Sequence, residues 1–169
     1  MDNLSLELEK YISKNFGKNL DTTPKVKNNR DPDLIMHGYV LTYGSINFNE
    51  TYRRNKTETF SEMLLRLIEE SGEKASEIYG RAQIERQHFS KIRNNPNYRP
   101  TKQTVLAFVI ALKLNLQQAE NLLSAAGFTL TNSIIGDVIV KFFIEHEFFD
   151  ITEIDIYLDK YEEPTLGGR

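Results

Sequence analysis

The chain has 169 residues, 40% of them apolar, and a formal net charge of −3. This length suits one compact domain with an extension or two small domains, and the apolar fraction is enough for a buried core. The sequence contains no cysteine, which excludes disulfides, thiolate nucleophiles and thiolate metal sites. It begins without a secretion-signal pattern and has no run near the roughly 20 apolar residues that span a bilayer, so we expect a cytoplasmic protein with no membrane partner.

Residues 3–16 predict an amphipathic helix with a narrow apolar stripe, which needs a partner surface on this chain or on another subunit. The stripe consists of Leu4, Leu8, Tyr11 and Ile12. Residues 17–33 are rich in Lys, Asn, Asp and Pro, which predicts a linker. Residues 34–48 are apolar and aromatic, a composition that allows a short strand or a hairpin.

From residue 59 onward the sequence predicts helices. Thr59 and Glu62 form a capping box for the first of them, and Gly72 is its expected stop. Two short helices are predicted over residues 75–82 and 85–94, before a turn-rich loop that two prolines define.

Four more helices are predicted after this loop, each from a capping side chain. The expected caps are Thr101, Asn115 with Gln118, Ser133, and Asp150 with Glu153, and Gly127 is the expected stop of the helix that Asn115 begins. The helix after Ser133 is apolar nearly all round. That pattern indicates burial, either inside one monomer or in a dimer interface.

Charge is segregated along the chain. Residues 74–102 carry seven Lys or Arg against two Glu, a net charge of +5, whereas residues 137–169 carry nine Asp or Glu against three Lys or Arg, a net charge of −6. A local basic face can bind phosphate even on an acidic protein. The alternative is that these charges only cover a solvated surface.

The short helix pair carries apolar residues at the spacing of a buried face. A Pro-Thr pair follows it at the start of the next helix, and the sequence beyond that point is rich in Leu. The positions are Ile78, Ile84, Phe89, Ile92, Pro100, Thr101, the run LAFVIALKL and Leu122-Leu123. Residues 60–127 therefore resemble the Cro/lambda-repressor-like (XRE-type) helix-turn-helix family. The resemblance implies an all-α fold, with a five-helix lambda-repressor-like helix-turn-helix bundle, extra C-terminal helices and an N-terminal extension. The corresponding domain boundaries are 1–58, 59–128 and 129–169.

Two positions of the helix pair depart from the family pattern. Tyr79 stands where the family prefers Ala at a close helix crossing, and Gln83 stands where it prefers Gly in a turn of positive φ. They predict a wider crossing or a turn of another shape. Lys74 also replaces the usual Ser or Thr cap.

The resemblance implies that the helix at 85–94 reads double-stranded DNA in the major groove. Arg86 would pair with guanine and Gln87 with adenine, and basic residues around them would neutralise phosphates. Thr101 and Lys102 begin a helix, a good seat for phosphate. The predicted DNA-binding residues are Glu85, Arg86, Gln87, Ser90, Lys91, Arg93, Asn94, Arg99, Thr101 and Lys102. The alternative is that they are ordinary solvated residues.

Two functions are consistent with these patterns. The first is a sequence-specific DNA-binding protein, a transcriptional regulator or repressor that acts as a homodimer. The second is a protein-binding adaptor or antitoxin-like partner that keeps the fold, binds DNA weakly or not at all, and uses the N-terminal extension or the acidic tail. No enzyme is expected, with no catalytic residue, metal site or cofactor, because His37, His88 and His146 are far apart and no carboxylate dyad is present.

Overall fold

A computed structural model describes residues 3–17 and 58–167, and the secondary structure of these ranges is all helical, with no strand. The eight helices are α1 (Asn3–Asn15), α2 (Phe60–Ser71), α3 (Ala75–Arg81), α4 (Arg86–Asn94), α5 (Lys102–Ala111), α6 (Leu116–Ala125), α7 (Ile135–Glu145) and α8 (Ile151–Lys160). Within the described ranges, none is long and apolar enough to cross a membrane. The all-α class is thus confirmed there, whereas residues 18–33 of the predicted linker and the apolar segment at 34–48 lie outside the described residues.

Capping side chains set the starts of several helices, as predicted. The Thr59 hydroxyl accepts from the N–H of Glu62 at 3.3 Å, and the N–H of Thr59 donates to the Glu62 carboxylate at 2.9 Å. Asn115 and Gln118 form the same reciprocal pair at α6. Each pair satisfies backbone N–H groups that have no partner inside the helix.

One predicted cap was wrong. Ser133 does not cap α7, because the helix begins one residue later and its N-cap is Ile134, which has no accepting side chain. The N–H of Ser133 instead donates to the Thr131 hydroxyl at 3.1 Å, within a turn that precedes the helix. By contrast, Asp150 caps α8 as predicted, since its carboxylate accepts from two backbone N–H groups of the first turn, but Glu153 does not complete the expected box with it.

Five helices end in a Schellman motif, with a left-handed residue just past the last turn. At the end of α3, Gln83 has φ 54°, and the N–H groups of Gln83 and Ile84 donate to the carbonyls of Gly80 and Tyr79. The same pairing ends the other four helices at Lys113, Gly127, Glu147 and Glu162. Four of the five left-handed positions are therefore held by residues other than glycine.

The core is centred on α5, in which every residue from Thr104 to Ala111 is buried. It contacts α3, α6 and α8, while α2 packs on α4 and α6. The sequence predicted this central place, because α5 has almost no polar face.

The apolar stripe of α1 packs against α7. Leu8 is 1% exposed, the Tyr11 ring meets Phe142 edge-on with centroids 5.3 Å apart, and the Tyr11 hydroxyl donates to Glu145 at 2.7 Å. The two surfaces that the sequence suggested for a dimer interface thus cover each other within one chain. Helix α1 accordingly belongs to the same compact unit as α2–α8.

Candidate nucleic-acid interface

The functional candidate is the pair α3 and α4, which the four residues 82–85 connect. Ile78 of α3 and Ile92 of α4 are fully buried, and Phe89 is 4% exposed. Since Phe89 and Ile92 are three positions apart, they turn one face of α4 into the core and leave the opposite face to solvent. The turn adds Ala82 and Ile84 to the same core.

Tyr79 and Gln83, the two unusual residues of the helix pair, lie at the helix crossing and in the turn. Tyr79 is half-buried, and its ring lies tilted against that of Phe89 with centroids 5.1 Å apart. An aromatic contact therefore fills the crossing where the family prefers Ala. Gln83 adopts φ 54°, the conformation that glycine reaches most easily, so this turn has the positive φ without a glycine.

The solvent face of α4 carries polar and basic side chains. Glu85 (the N-cap), Arg86, Gln87, Lys91, Arg93 and Asn94 are exposed, and Ser90 is half-buried. Gln87, Lys91 and Asn94 follow at spacings of four and three on the side opposite the buried residues, while Arg86 and Arg93 share one edge. The structure thus places seven of the ten predicted residues at or on one helix, around its exposed face.

Four cations of this region make no ion pair with any residue that the structure describes. They are Arg86, Lys91, Arg93 and Arg99, and all four are exposed. Some cations elsewhere are paired, Arg66 with Glu58 and Glu70 and Lys160 with Glu9. Unpaired like charges in one region repel each other and create a positive potential that favours an anionic partner.

Arg81, at the end of α3, bonds to other groups of the protein. Its guanidinium donates to both oxygens of Glu73, at 2.6 and 2.9 Å, and to the carbonyl of Ala111 at the end of α5. The hydrogen bonds from Arg81 lower the pKa of Glu73, and the carboxylate in turn raises the pKa of Arg81. Arg81 therefore links α3 to α5 and adds nothing to the free positive charge.

Two predicted phosphate contacts, Thr101 and Lys102, are also engaged by the protein itself. The Thr101 hydroxyl accepts from the N–H of Thr104 at 3.2 Å as the cap of α5. The Lys102 ammonium lies 2.6 Å from Oδ1 of Asp137, which is nearly buried and also accepts from the N–H of Thr131 at 2.9 Å. The charge assigned to phosphate is therefore neutralised within the fold.

The loop after α4 folds back along the helix. Nε2 of His88 lies 2.7 Å from the Tyr98 hydroxyl, with ring centroids 5.9 Å apart. This contact brings the loop, and Arg99 next to Tyr98, towards the first half of α4. The sequence contained no signal for it, because the two residues are ten positions apart and neither pattern nor spacing joins them.

The acidic tail lies beside the turn of the helix pair. The Gln83 side-chain amide is 3.5 Å from the Thr152 hydroxyl, and the Asp155 carboxylate accepts from the N–H groups of Leu166 and Gly167 at 2.6 and 3.0 Å. A methyl group at Gly167 would collide with the amide oxygen of Gln83. Gly167 thus packs closely against Gln83 of this turn.

No family model matches the chain, and the comparisons with curated proteins and with solved structures gave no match. Among the residues that the structure describes, no three His, Cys, Asp or Glu side chains converge as a metal site requires. Function must therefore be inferred from the helix pair, the loop after it and the charges around them.

Proposed function

We propose that the chain is a sequence-specific double-stranded DNA-binding protein, a transcriptional regulator of the helix-turn-helix type. Helices α2–α6 would form a lambda-repressor-like five-helix bundle, and α4 would be the helix that enters the major groove. The observation that carries the proposal is the set of four exposed cations around the solvent face of α4 and the loop after it, none of which makes an ion pair with a described residue.

The dimensions of α4 support this role. Its nine residues span about 14 Å, and a helix with side chains is about 10–12 Å wide, close to the roughly 12 Å width of the major groove. Phe89 and Ile92 anchor the helix to the core. Gln87 and Lys91 could then approach base edges, where an amide can make two hydrogen bonds to adenine, whereas the Asn94 amide donates to the Ser90 hydroxyl at 3.3 Å.

The edge of α4 and the loop supply the remaining contacts. Arg86, in the first turn, would form a bidentate pair with guanine, and Arg93 and Arg99 would neutralise phosphates. Glu85, at the N-cap, favours the positive end of the helix. Lys102 is excluded from the phosphate set because Asp137 already neutralises it.

A homodimer that reads two half-sites about 34–36 Å apart is part of the proposal, since single modules of this type are usually paired. The faces of α1 and α7 that pack on each other are not available for its interface. The dimer would have to form through other surfaces, and sedimentation with and without a palindromic duplex tests it.

The second candidate is a protein-binding adaptor or antitoxin-like partner with weak or no DNA binding. One observation favours it, namely that the acidic tail packs beside the turn that leads into α4, at Gln83, Thr152 and Gly167. Carboxylates close to the helix pair would repel phosphate and reduce affinity for DNA.

Selection from a random duplex pool distinguishes the two candidates. At low salt the purified chain should retain duplex DNA and enrich a motif, and Arg86→Ala should lose the enrichment at one position of that motif. Arg66→Ala is the matched control, because it removes the same charge from an arginine that two carboxylates already neutralise. Failure of the wild-type chain to retain duplex, or equal loss in both variants, would overturn the proposal.

A further inference from the structure

Several hydrogen bonds hold the loop between α4 and α5. The backbone carbonyl of Asn95 accepts from the hydroxyl of Ser61, which is 1% exposed, at 3.0 Å. The same carbonyl accepts from the N–H of Tyr98 at 3.0 Å, and the Asn95 side-chain oxygen accepts from the N–H of Asn97 at 3.0 Å. The loop is thus a closed turn attached to the start of α2, and not a free connection.

The His88–Tyr98 pair connects the other side of this loop to α4. His88 is the third residue of α4 and is half-buried, and Tyr98 is half-buried against the core. Lys91 is three positions after His88 and therefore lies on the same side of the helix. The loop accordingly runs along the Lys91 side of α4, next to the face proposed to meet DNA.

Arg99 is the cation next to this pair in the chain. It follows Tyr98 directly, it is exposed, and it makes no ion pair with the described residues. A flexible arginine on a free loop would lose conformational freedom when it met a phosphate, whereas one on a fixed loop has already lost part of it. A fixed loop therefore favours binding without adding a contact.

We propose that His88 and Tyr98 are positioning residues, whose hydrogen bond holds Arg99 where it meets a phosphate beside the groove that α4 enters. This inference rests on the proposed function. The Tyr98 hydroxyl and His88 Nε2 are hydrogen-bonded to each other, and in this proposal neither contacts phosphate directly. They act through Arg99.

A double-mutant cycle on affinity for the selected duplex tests this role. Tyr98→Phe keeps the ring and removes the hydroxyl, and should weaken binding about 2- to 10-fold, the range of one hydrogen bond. In the Arg99→Ala background the same change should have no further effect. In the Arg86→Ala background, its effect should be as large as in the wild type, because Arg86 does not depend on the loop.

A second pair of variants separates positioning from general stability. His88→Gln places an amide that can bond the Tyr98 hydroxyl and should keep affinity, whereas His88→Leu should lose it to the same extent as Tyr98→Phe. Equal effects of Tyr98→Phe in the wild-type and Arg99→Ala backgrounds, or equal affinities of the two His88 variants, would overturn the inference while DNA binding stands. Absence of duplex binding by the wild type would instead refute the proposed function.

Discussion

The Lys102 ammonium lies 2.6 Å from Oδ1 of Asp137, and this ion pair joins the first residue of α5 to the first turn of α7. The aspartate side chain is 5% exposed and the lysine side chain 19%. The pair therefore ties the C-terminal helices to the bundle that contains the proposed DNA-reading pair. It also gives an intramolecular partner to a residue that the sequence placed at phosphate.

Lys102→Ala should lower the free energy of unfolding by about 2–4 kcal/mol, because it leaves the Asp137 carboxylate buried and without its cation. Urea denaturation measures this loss, and the double variant Lys102→Met, Asp137→Leu should recover part of it. Lys91→Ala is the control, because Lys91 is exposed and makes no ion pair with a described residue, and it should leave stability within about 0.5 kcal/mol. A stable Lys102→Ala variant with weakened DNA binding would return Lys102 to the phosphate set.

Glu147→Gly should stabilise the protein. Glu147 holds a left-handed conformation, φ 55°, at the end of α7, which costs a non-glycine residue about 1–2 kcal/mol. Glycine avoids this cost, but its greater conformational freedom in the unfolded state offsets part of the gain in stability. A net gain of about 0.5–1 kcal/mol is expected relative to Glu147→Gln, which removes the charge but keeps the backbone cost. Thermal or urea unfolding compares the two variants. Equal stabilities would mean that this position carries no strain.

Tyr11→Phe should make the free energy of unfolding less dependent on pH above about pH 10. Burial, and then the hydrogen bond to Glu145, raise the pKa of Tyr11 above its ordinary value of 10.0. Since the folded state holds the proton more tightly than the unfolded state, this contribution is present below about pH 10 and is lost as the pH rises above it. The unfolding free energy of the wild type should therefore fall more steeply above about pH 10 than that of Tyr11→Phe. Parallel curves would contradict the contact between α1 and α7.

Arg86→Ala should relax sequence preference at one position of the bound site. If Arg86 pairs with guanine, its loss should reduce discrimination at that position by about 1–3 kcal/mol and leave the other positions unchanged. Binding to a panel of single-base variants of the selected duplex measures this. A uniform loss across the panel would assign Arg86 to phosphate instead.

Local signals in the sequence were enough to predict most of the helices. The cap pairs Thr59–Glu62 and Asn115–Gln118 are three residues apart, and both formed as expected. Burial of Phe89 and Ile92, and hence the exposed face of α4, also followed from helical spacing.

Contacts between distant elements could not be predicted in the same way. Lys102 meets Asp137 across 35 positions, and Tyr11 meets Glu145 across 134. Such pairs form only when whole helices dock, and many other pairings of the same residue types are equally compatible with the sequence. The His88–Tyr98 bond depends similarly on the path of a loop, which spacing does not determine.

The salt dependence of duplex binding tests the proposed function most directly. Fluorescence anisotropy of the selected duplex should show the logarithm of affinity falling linearly with the logarithm of salt concentration, with a slope of magnitude about 0.9 for each phosphate contacted. The slope should be smaller by about 1 in Arg93→Ala, and it should be unchanged in the paired control Arg66→Ala. An affinity that does not change with salt, or slopes that are equal in the wild type and Arg93→Ala, would contradict phosphate binding by the exposed cations around α4.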